Sequence, residues 1–298
     1  MEPSEMGLLS GRVAVITGGT RGLGYAIACA YAEAGASVVV GSRSPDSVDK
    51  AIERLRQIGP AASGIPVDMS DLFQARQLAD HTLETFGHFD IWVNNAGVSS
   101  AYGPSIDIPP KNFLHTLNTN ILGVYHGSAV AMPHFLSRGR GKLINLLGVG
   151  ARGPVPLQNA YASSKAWVRS FTLALAREYR DSGVGVFAFQ PGMVHTELLT
   201  NLEVVEGYEA RLKVFPTIIR LLAKPPELAA RKAVWLASPA TDGRTGLEVR
   251  AEGSLGMLRG VMREIGRRIL RRPAPEVKLQ ITSIPSALDP AKGQGNPG

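Results

Sequence analysis

The stretch "VAVITGGTRGLGYAIACA" (residues 13–30) decides how the rest of the chain is read. Residues 13–17 are apolar, mostly β-branched and without alternation, the pattern of a strand covered on both faces. Gly18, Gly22 and Gly24 follow, and an alanine-rich run then leads to Gly35, a helix C-cap. Glycine permits the tight turn and lets a backbone approach a pyrophosphate. The helix behind it offers free N–H groups and a positive dipole end. A glycine triplet alone signals only a turn; one lodged between a buried strand and the first helix signals a dinucleotide site. With Thr17 in front the spacing is TGxxxGxG, not GxGxxG.

Outward from this stretch, short apolar runs alternate with helical periods. Strands are expected at 12–17, 37–42, 64–68, 89–94, 142–147, 184–190 and 246–250. Helices are expected at 23–34, at 44–59 with Ser44 as N-cap before Pro45, at 70–87, and around 110–137, 157–182 and 225–237. This alternation predicts a doubly wound α/β fold with a seven-stranded, mainly parallel sheet, spanning residues 1–255. Residues 197–224 interrupt the rhythm as an insertion of one or two short helices, read as a lid. Residues 256–298 form an extension that starts as an arginine-rich amphipathic helix and ends in "PSALDPAKGQGNPG" (285–298), whose composition predicts disorder.

The chain has 298 residues, 44% hydrophobic and 19% charged, enough for a sizeable core. Its net charge of +7 invites a nucleic-acid reading, but the excess sits in the arginine-rich extension, so no nucleic-acid partner is expected. One cysteine, Cys29, excludes an intrachain disulfide and fits a reducing compartment. The opening "MEPSEMGLLSGR" lacks the apolar segment of a signal peptide, and no window approaches the roughly 20 apolar residues of a membrane span. The expected location is cytoplasmic. The six histidines show no metal-ligand spacing, so no metal site is expected.

Further landmarks arrive in order: Asp68 in "VD", "NNAG" at 94–97, Asn120 in "NTNILG", "YASSK" at 161–165 and "PGMVHT" at 191–196. With the glycine turn, this set resembles the short-chain dehydrogenase/reductase family over roughly residues 10–255. The resemblance implies hydride transfer between a nicotinamide cofactor and a small-molecule carbonyl or alcohol. It implies a cofactor site built from Gly18, Arg21, Gly22, Leu23, Gly24, Arg43, Asp68, Met69, Asn94, Gly97, Tyr161, Lys165, Val194 and Thr196. It also implies a homodimer or homotetramer.

A family member that prefers NAD places an acid at the end of the second strand, on the ribose 2′-hydroxyl. Here Ser42 and Arg43 stand there, and Arg21 lies inside the glycine turn. No carboxylate repels a 2′-phosphate and two arginines can hold one, so NADP(H) is expected over NAD(H).

Tyr161 and Lys165 stand at i and i+4, on one helix face. A neighbouring ammonium and an oxidised nicotinamide are expected to lower the phenol's pKa, making Tyr161 the acid for reduction and the base for oxidation. By resemblance, Lys165 also holds the nicotinamide ribose and Asn120 organises a water relay. The family's serine stands 13 residues before the tyrosine; that position is Gly148. Three readings stay open: a backbone N–H at Gly148 or Val149 donates instead; a hydroxyl of Ser99, Ser100 or Tyr102 does; or the chain is a cofactor-binding regulatory or scaffold protein with weak catalysis. The retained tyrosine, lysine and asparagine favour an enzyme. Leu198, Leu199, Val214, Phe215, Ile218 and Ile219 in the insertion suggest an apolar substrate. The segment 257–272 is read first as docking on the protein's own body or a sister subunit, second as a peripheral membrane contact, and third as a site for an acidic partner.

Overall fold

Seven apolar runs pair edge to edge in one sheet of order β3-β2-β1-β4-β5-β6-β8, with every pairing parallel. The strands are β1 (Val13–Thr17), β2 (Ser37–Ser42), β3 (Ala62–Pro66), β4 (Ile91–Asn94), β5 (Gly141–Leu146), β6 (Val184–Gln190) and β8 (Glu248–Arg250). The computed structural model describes residues 7–251 and 277–288. The order reverses direction between β1 and β4, and this switch point opens a crevice at the carboxyl ends of the strands. The central strands are buried along their whole length because helices cover both faces.

The helices are α1 (Gly22–Glu33), α2 (Pro45–Arg56), α3 (Leu72–Phe86), α4 (Pro110–Leu117), α5 (Gly123–Arg138), α6 (Asn159–Glu178) and α9 (Pro226–Ala237), with two short ones, α7 and α8, in the insertion. Their ends follow local chemistry. Ser44 accepts from the Ser47 N–H ahead of Pro45. Asp71 caps α3 by accepting from the Phe73 N–H. Gly35, at φ +94°, closes α1: its N–H donates to Ala32 and that of Ala36 to Tyr31, satisfying carbonyls the helix would leave bare.

Three expected boundaries differ. β3 begins at Ala62, because Val38 to Ser42 pair with Ala62 to Pro66 and the chain turns away after Val67. The helix expected at 110–137 is two helices joined by a π turn, Asn118–Leu122, and that wider turn carries Asn120. The insertion holds more than short helices: α7 (Glu197–Thr200), then a strand β7 (Asn201–Val205), a 3₁₀ turn (Glu209–Val214) and α8 (Phe215–Leu222).

The partner of β7 is β9 (Gln280–Ile284), from the extension. The disorder expected from Pro285 onward is corrected at its start: residues 285–288 are described, and the Ala287 N–H donates to Asp107 O at 2.7 Å. The basic segment 257–272 lies outside the described residues. Among those described, no helix is long and apolar enough to cross a membrane and no His/Cys/Asp/Glu group could hold a metal ion.

Candidate functional site

The glycine turn comes first, because it sets the floor of the crevice. Gly18 (φ +63°) and Gly22 (φ +54°) hold backbone shapes that favour glycine. A β-carbon at Gly24 would overlap the Gly18 carbonyl, so α1 can only pack this close with glycine there. No side chain caps the N-terminus of α1, and its first turn carries no acid. Its free N–H groups and dipole are thus available to an anion. A dinucleotide's pyrophosphate fits this cradle. Leu23 stands half-buried beside it.

β4 delivers "NNAG" to the same place, with its two asparagines in different roles. Asn94, expected to bind cofactor, is buried in the core. Its amide nitrogen donates to Asn145 Oδ1, Ser128 Oγ and Val124 O, and its oxygen accepts from Trp92 Nε1. Those bonds occupy the amide, so its side chain serves the sheet rather than the crevice. Asn95, which the sequence reading passed over, donates to Thr17 O (2.9 Å) and Gly18 O (3.1 Å), tying β4 to the glycine turn. Thr17 Oγ1 returns the contact, accepting from the N–H groups of Asn95 and Ala96. Strand alternation was the available signal: a buried Asn94 puts Asn95 on the other side.

Gly97 is exposed, and a β-carbon there would come 3.2 Å from Asn120 Oδ1 and 3.7 Å from Lys165 Nζ. Asn120 is fully buried in the π turn. It accepts from the Val98 N–H (2.8 Å) and donates to Val98 O (3.0 Å) and Ser164 Oγ (3.1 Å). These bonds clamp the end of "NNAGV" to α6. On α6, Lys165 Nζ donates to Leu146 O at the tip of β5 (3.1 Å) and lies 5.8 Å from the centre of the Tyr161 ring. The Tyr161 hydroxyl is turned toward Gly148, where a β-carbon would overlap it. The sequence-predicted Tyr161, Lys165 and Asn120 are therefore gathered at the carboxyl ends of β4 and β5.

Electrostatics here differs from expectation. Burial pushes the Tyr161 phenol up to about 12 although part of its surface remains exposed. Burial pushes Lys165 down to about 8. Desolvation disfavours the phenolate of Tyr161 and equally the ammonium of Lys165, whose Nζ faces a carbonyl.

The remaining expected residues line the rim. Asp68 accepts from the N–H and hydroxyl of Ser70, and buried Met69 is held through its carbonyl by His126 Nδ1 (3.0 Å). Arg43 is exposed just beyond β2. Arg21 reaches across to Glu197 Oε2 at the start of the 197–224 insertion (2.7 Å). Val194 is buried and bridged to Lys224, while Thr196 sits against Gly22. Of the hydroxyls after "NNAG", Ser99 points back at the Ser100 carbonyl and Tyr102 packs with Leu202, Val204 and Leu212. Ser100 is 2% exposed, and its hydroxyl has no hydrogen-bond partner among the described residues.

A parallel sheet with a glycine turn at its switch point and a Tyr-x3-Lys helix beside it defines a nicotinamide-dependent oxidoreductase fold. The chain belongs to the short chain dehydrogenase family, whose model matches residues 12–206. It is 34% identical over 254 residues to 3beta-hydroxysteroid dehydrogenase 1 of Eggerthella lenta, covering 85% of this chain and 96% of that one. Among solved structures, 3-ketoacyl-(acyl-carrier-protein) reductase of Brucella melitensis, complexed with NADH, superposes with a TM-score of 0.74 at 30% identity, covering 83% of this chain and 99% of that one. Gluconate 5-dehydrogenase of Burkholderia cenocepacia, in complex with NADP and tartrate, gives 0.74 at 27% identity, covering 86% and 99%. The chain is a hydride-transfer oxidoreductase acting on CH–OH or C=O groups.

Proposed function

We propose that this enzyme uses NADP(H) to interconvert a carbonyl and a secondary alcohol on an apolar substrate, with Tyr161, Lys165 and Asn120 as its working groups. The observation that carries the reading is the meeting of these three residues beside the glycine turn. The bound nicotinamide supplies or accepts the hydride. The chain's own residues handle the proton and the positioning. Gly18, Gly22, Gly24 and the N-terminus of α1 would hold the pyrophosphate, and Asp68, Met69, Gly97, Val194 and Thr196 would flank the rest of the cofactor. Gly148 occupies the family's serine position.

With its phenol raised to about 12, Tyr161 carries its proton at neutral pH and is in the right form to protonate a carbonyl oxygen. The phenolate left behind is stabilised by protonated Lys165, four residues on along α6. Asn120 holds the strand-end segment that faces them. Ser100, a buried hydroxyl without a partner, is the candidate to donate to the substrate oxygen in place of a side chain at 148.

The preference for the 2′-phosphate rests on exposed Arg43 and on the absence of an acid at Ser42. Arg21 is engaged by Glu197 and contributes less. Exposed Leu198 and Val214 on the lid, together with the hydroxysteroid relative, favour an apolar substrate. Exposed Leu114 on α4 and Tyr125 on α5, beside the stacked Trp167 and Phe171, favour a homo-oligomer.

A panel of apolar ketones and secondary alcohols, followed at the absorbance band of the reduced cofactor, tests the reading. Tyr161→Phe is expected to lower kcat by about 10³-fold or more. An unchanged rate in that variant places the chemistry elsewhere.

A further inference from the structure

The extension of the chain returns to the lid as a strand. β9 pairs in parallel with β7 through five successive positions, from Asn201 opposite Gln280 to Val205 opposite Ile284. The Glu206 N–H donates to Ile284 O (2.9 Å), Ser283 Oγ to Glu209 Oε1 (2.8 Å) and the Ala287 N–H to Asp107 O (2.7 Å). The Ile284 side chain packs on a small apolar cluster of Ala101, Ile108 and Val205. This contact joins the extension to the segment that follows "NNAG".

The other side of β7 holds that same segment. Tyr102 bridges Val204: its N–H donates to Glu203 O (2.8 Å), and its carbonyl accepts from the Val205 N–H (2.9 Å). Gly103 then lies so close that a β-carbon on it would stand 2.5 Å from Val205 Cγ2. The Gly103 N–H donates to Leu157 O (2.9 Å), four residues ahead of Tyr161. Leu157 is the one non-glycine residue at positive φ (+67°) among those described, a conformation that persists only when its surroundings enforce it. At its other end the segment is clamped through Val98 to Asn120. Residues 98–103 thus span from Asn120 to the approach of the Tyr161 helix, carrying the unpartnered Ser100 between.

A pair of strands alone is marginal in water, and three with an apolar face are needed for independent stability. Here Tyr102 supplies only one rung of a third strand, so the hold of β7 on it depends on β7 itself being fixed. β9 and the Ile284 contact provide that fixing. We propose that Gln280–Ile284 is a positioning element of the substrate site: acting through β7 and Tyr102, it fixes the 99–103 wall against the approach to Tyr161. The inference rests on Tyr161 being the proton-transfer residue.

Thr282 stands opposite Glu203, whose carbonyl holds Tyr102. Thr282→Pro in the full chain takes an N–H from the middle of β9. Carbonyl KM is expected to rise about tenfold with kcat changed less than threefold, the signature of lost substrate binding. The NADPH Kd is expected to stay within about twofold, since none of the hydrogen bonds of β9 reaches the glycine turn. Ile284→Ala is expected to move KM in the same direction by less, and Ile284→Val to restore it. Amide hydrogen exchange provides a readout that needs no turnover: faster exchange at Tyr102 and Gly103, as well as within 201–205, is the expected result. Exchange raised only within 201–205 and 280–284, or KM unchanged while β9 is released, overturns the proposal. A parent enzyme inactive on every carbonyl fails the reading of Tyr161 instead, and the exchange experiment still decides the positioning.

Discussion

The cluster at the ends of β4, β5 and α6 and the insertion at 197–224 are held by opposite means. In the cluster, each functional side chain rides on a buried strand end or a long helix, and side-chain hydrogen bonds link neighbours: Asn95 to the glycine turn, Asn120 to Val98 and Ser164, Lys165 to Leu146. Around the insertion, backbone bonds join segments far apart in sequence, Tyr102 to β7 and β7 to β9. The first arrangement is stiff and intolerant of volume. The second depends on the joint presence of three pieces, and such elements open at lower free energy than a packed core. Under the proposed function, fixed geometry for proton transfer would sit on the first and the substrate-facing surface on the second.

After loss of the Tyr161 hydroxyl itself, overfilling the stiff side is expected to have the largest effect on rate. Gly148→Ser puts a β-carbon where the Tyr161 hydroxyl now lies. Displacing that phenol by about an ångström is expected to lower kcat on the order of 10²-fold. A gain in rate would instead mean that the glycine is a loss and that the weak-catalyst reading holds. A conservative exchange in β9, such as the Ile284→Val rescue above, is expected to leave kcat nearly untouched, which is the contrast at issue.

Next in size is the cost of burying Lys165. Its ammonium is pushed down to about 8 in the folded protein against 10.5 ordinarily, so the unfolded chain binds that proton more tightly. Stability is therefore reduced below pH about 8 and recovers as pH rises from there toward 10.5. Tyr161, raised to about 12, acts with the opposite sign, but only above its ordinary value of 10, where the unfolded phenol ionises first. Lys165→Met is expected to remove the rise between pH about 8 and 10. At pH about 7 it is expected to be the more stable by on the order of 3 kcal/mol. Urea unfolding of parent and variant at two pH values measures this. Equal slopes with pH would show that the lysine is not desolvated.

The smallest effect is expected at the rim. Arg43→Ser leaves the core untouched and is expected to lower the NADPH-over-NADH ratio of kcat/KM by roughly tenfold, about one charge-assisted hydrogen bond. An unchanged ratio removes Arg43 from cofactor choice.

Much of the stiff side was legible in the sequence because it is written locally. Unalternating runs such as Val13–Thr17 mark buried parallel strands, Ser44 before Pro45 marks a helix start, and Gly18 and Gly22 mark backbone shapes open to glycine. Tyr161 and Lys165 share a helix face by spacing alone. Less legible was which asparagine faces inward, because the end of the ladder is fixed by pairing between strands, and Asn94 stays in register with Asn145 while Asn95 lies beyond it.

What the sequence by itself determined is the order of strands and helices, the glycine cradle and the residues placed at the sheet's carboxyl edge, since each follows from periodicity, capping and backbone freedom over a few neighbouring positions. Only the tertiary structure decided that Tyr161 fills the space over Gly148, that burial raises its phenol, and that residues 280–284 return to brace the lid. Those three outcomes depend on what surrounds a group in space. A short strand such as Gln280–Ile284 carries too little pattern to announce a partner some eighty positions away.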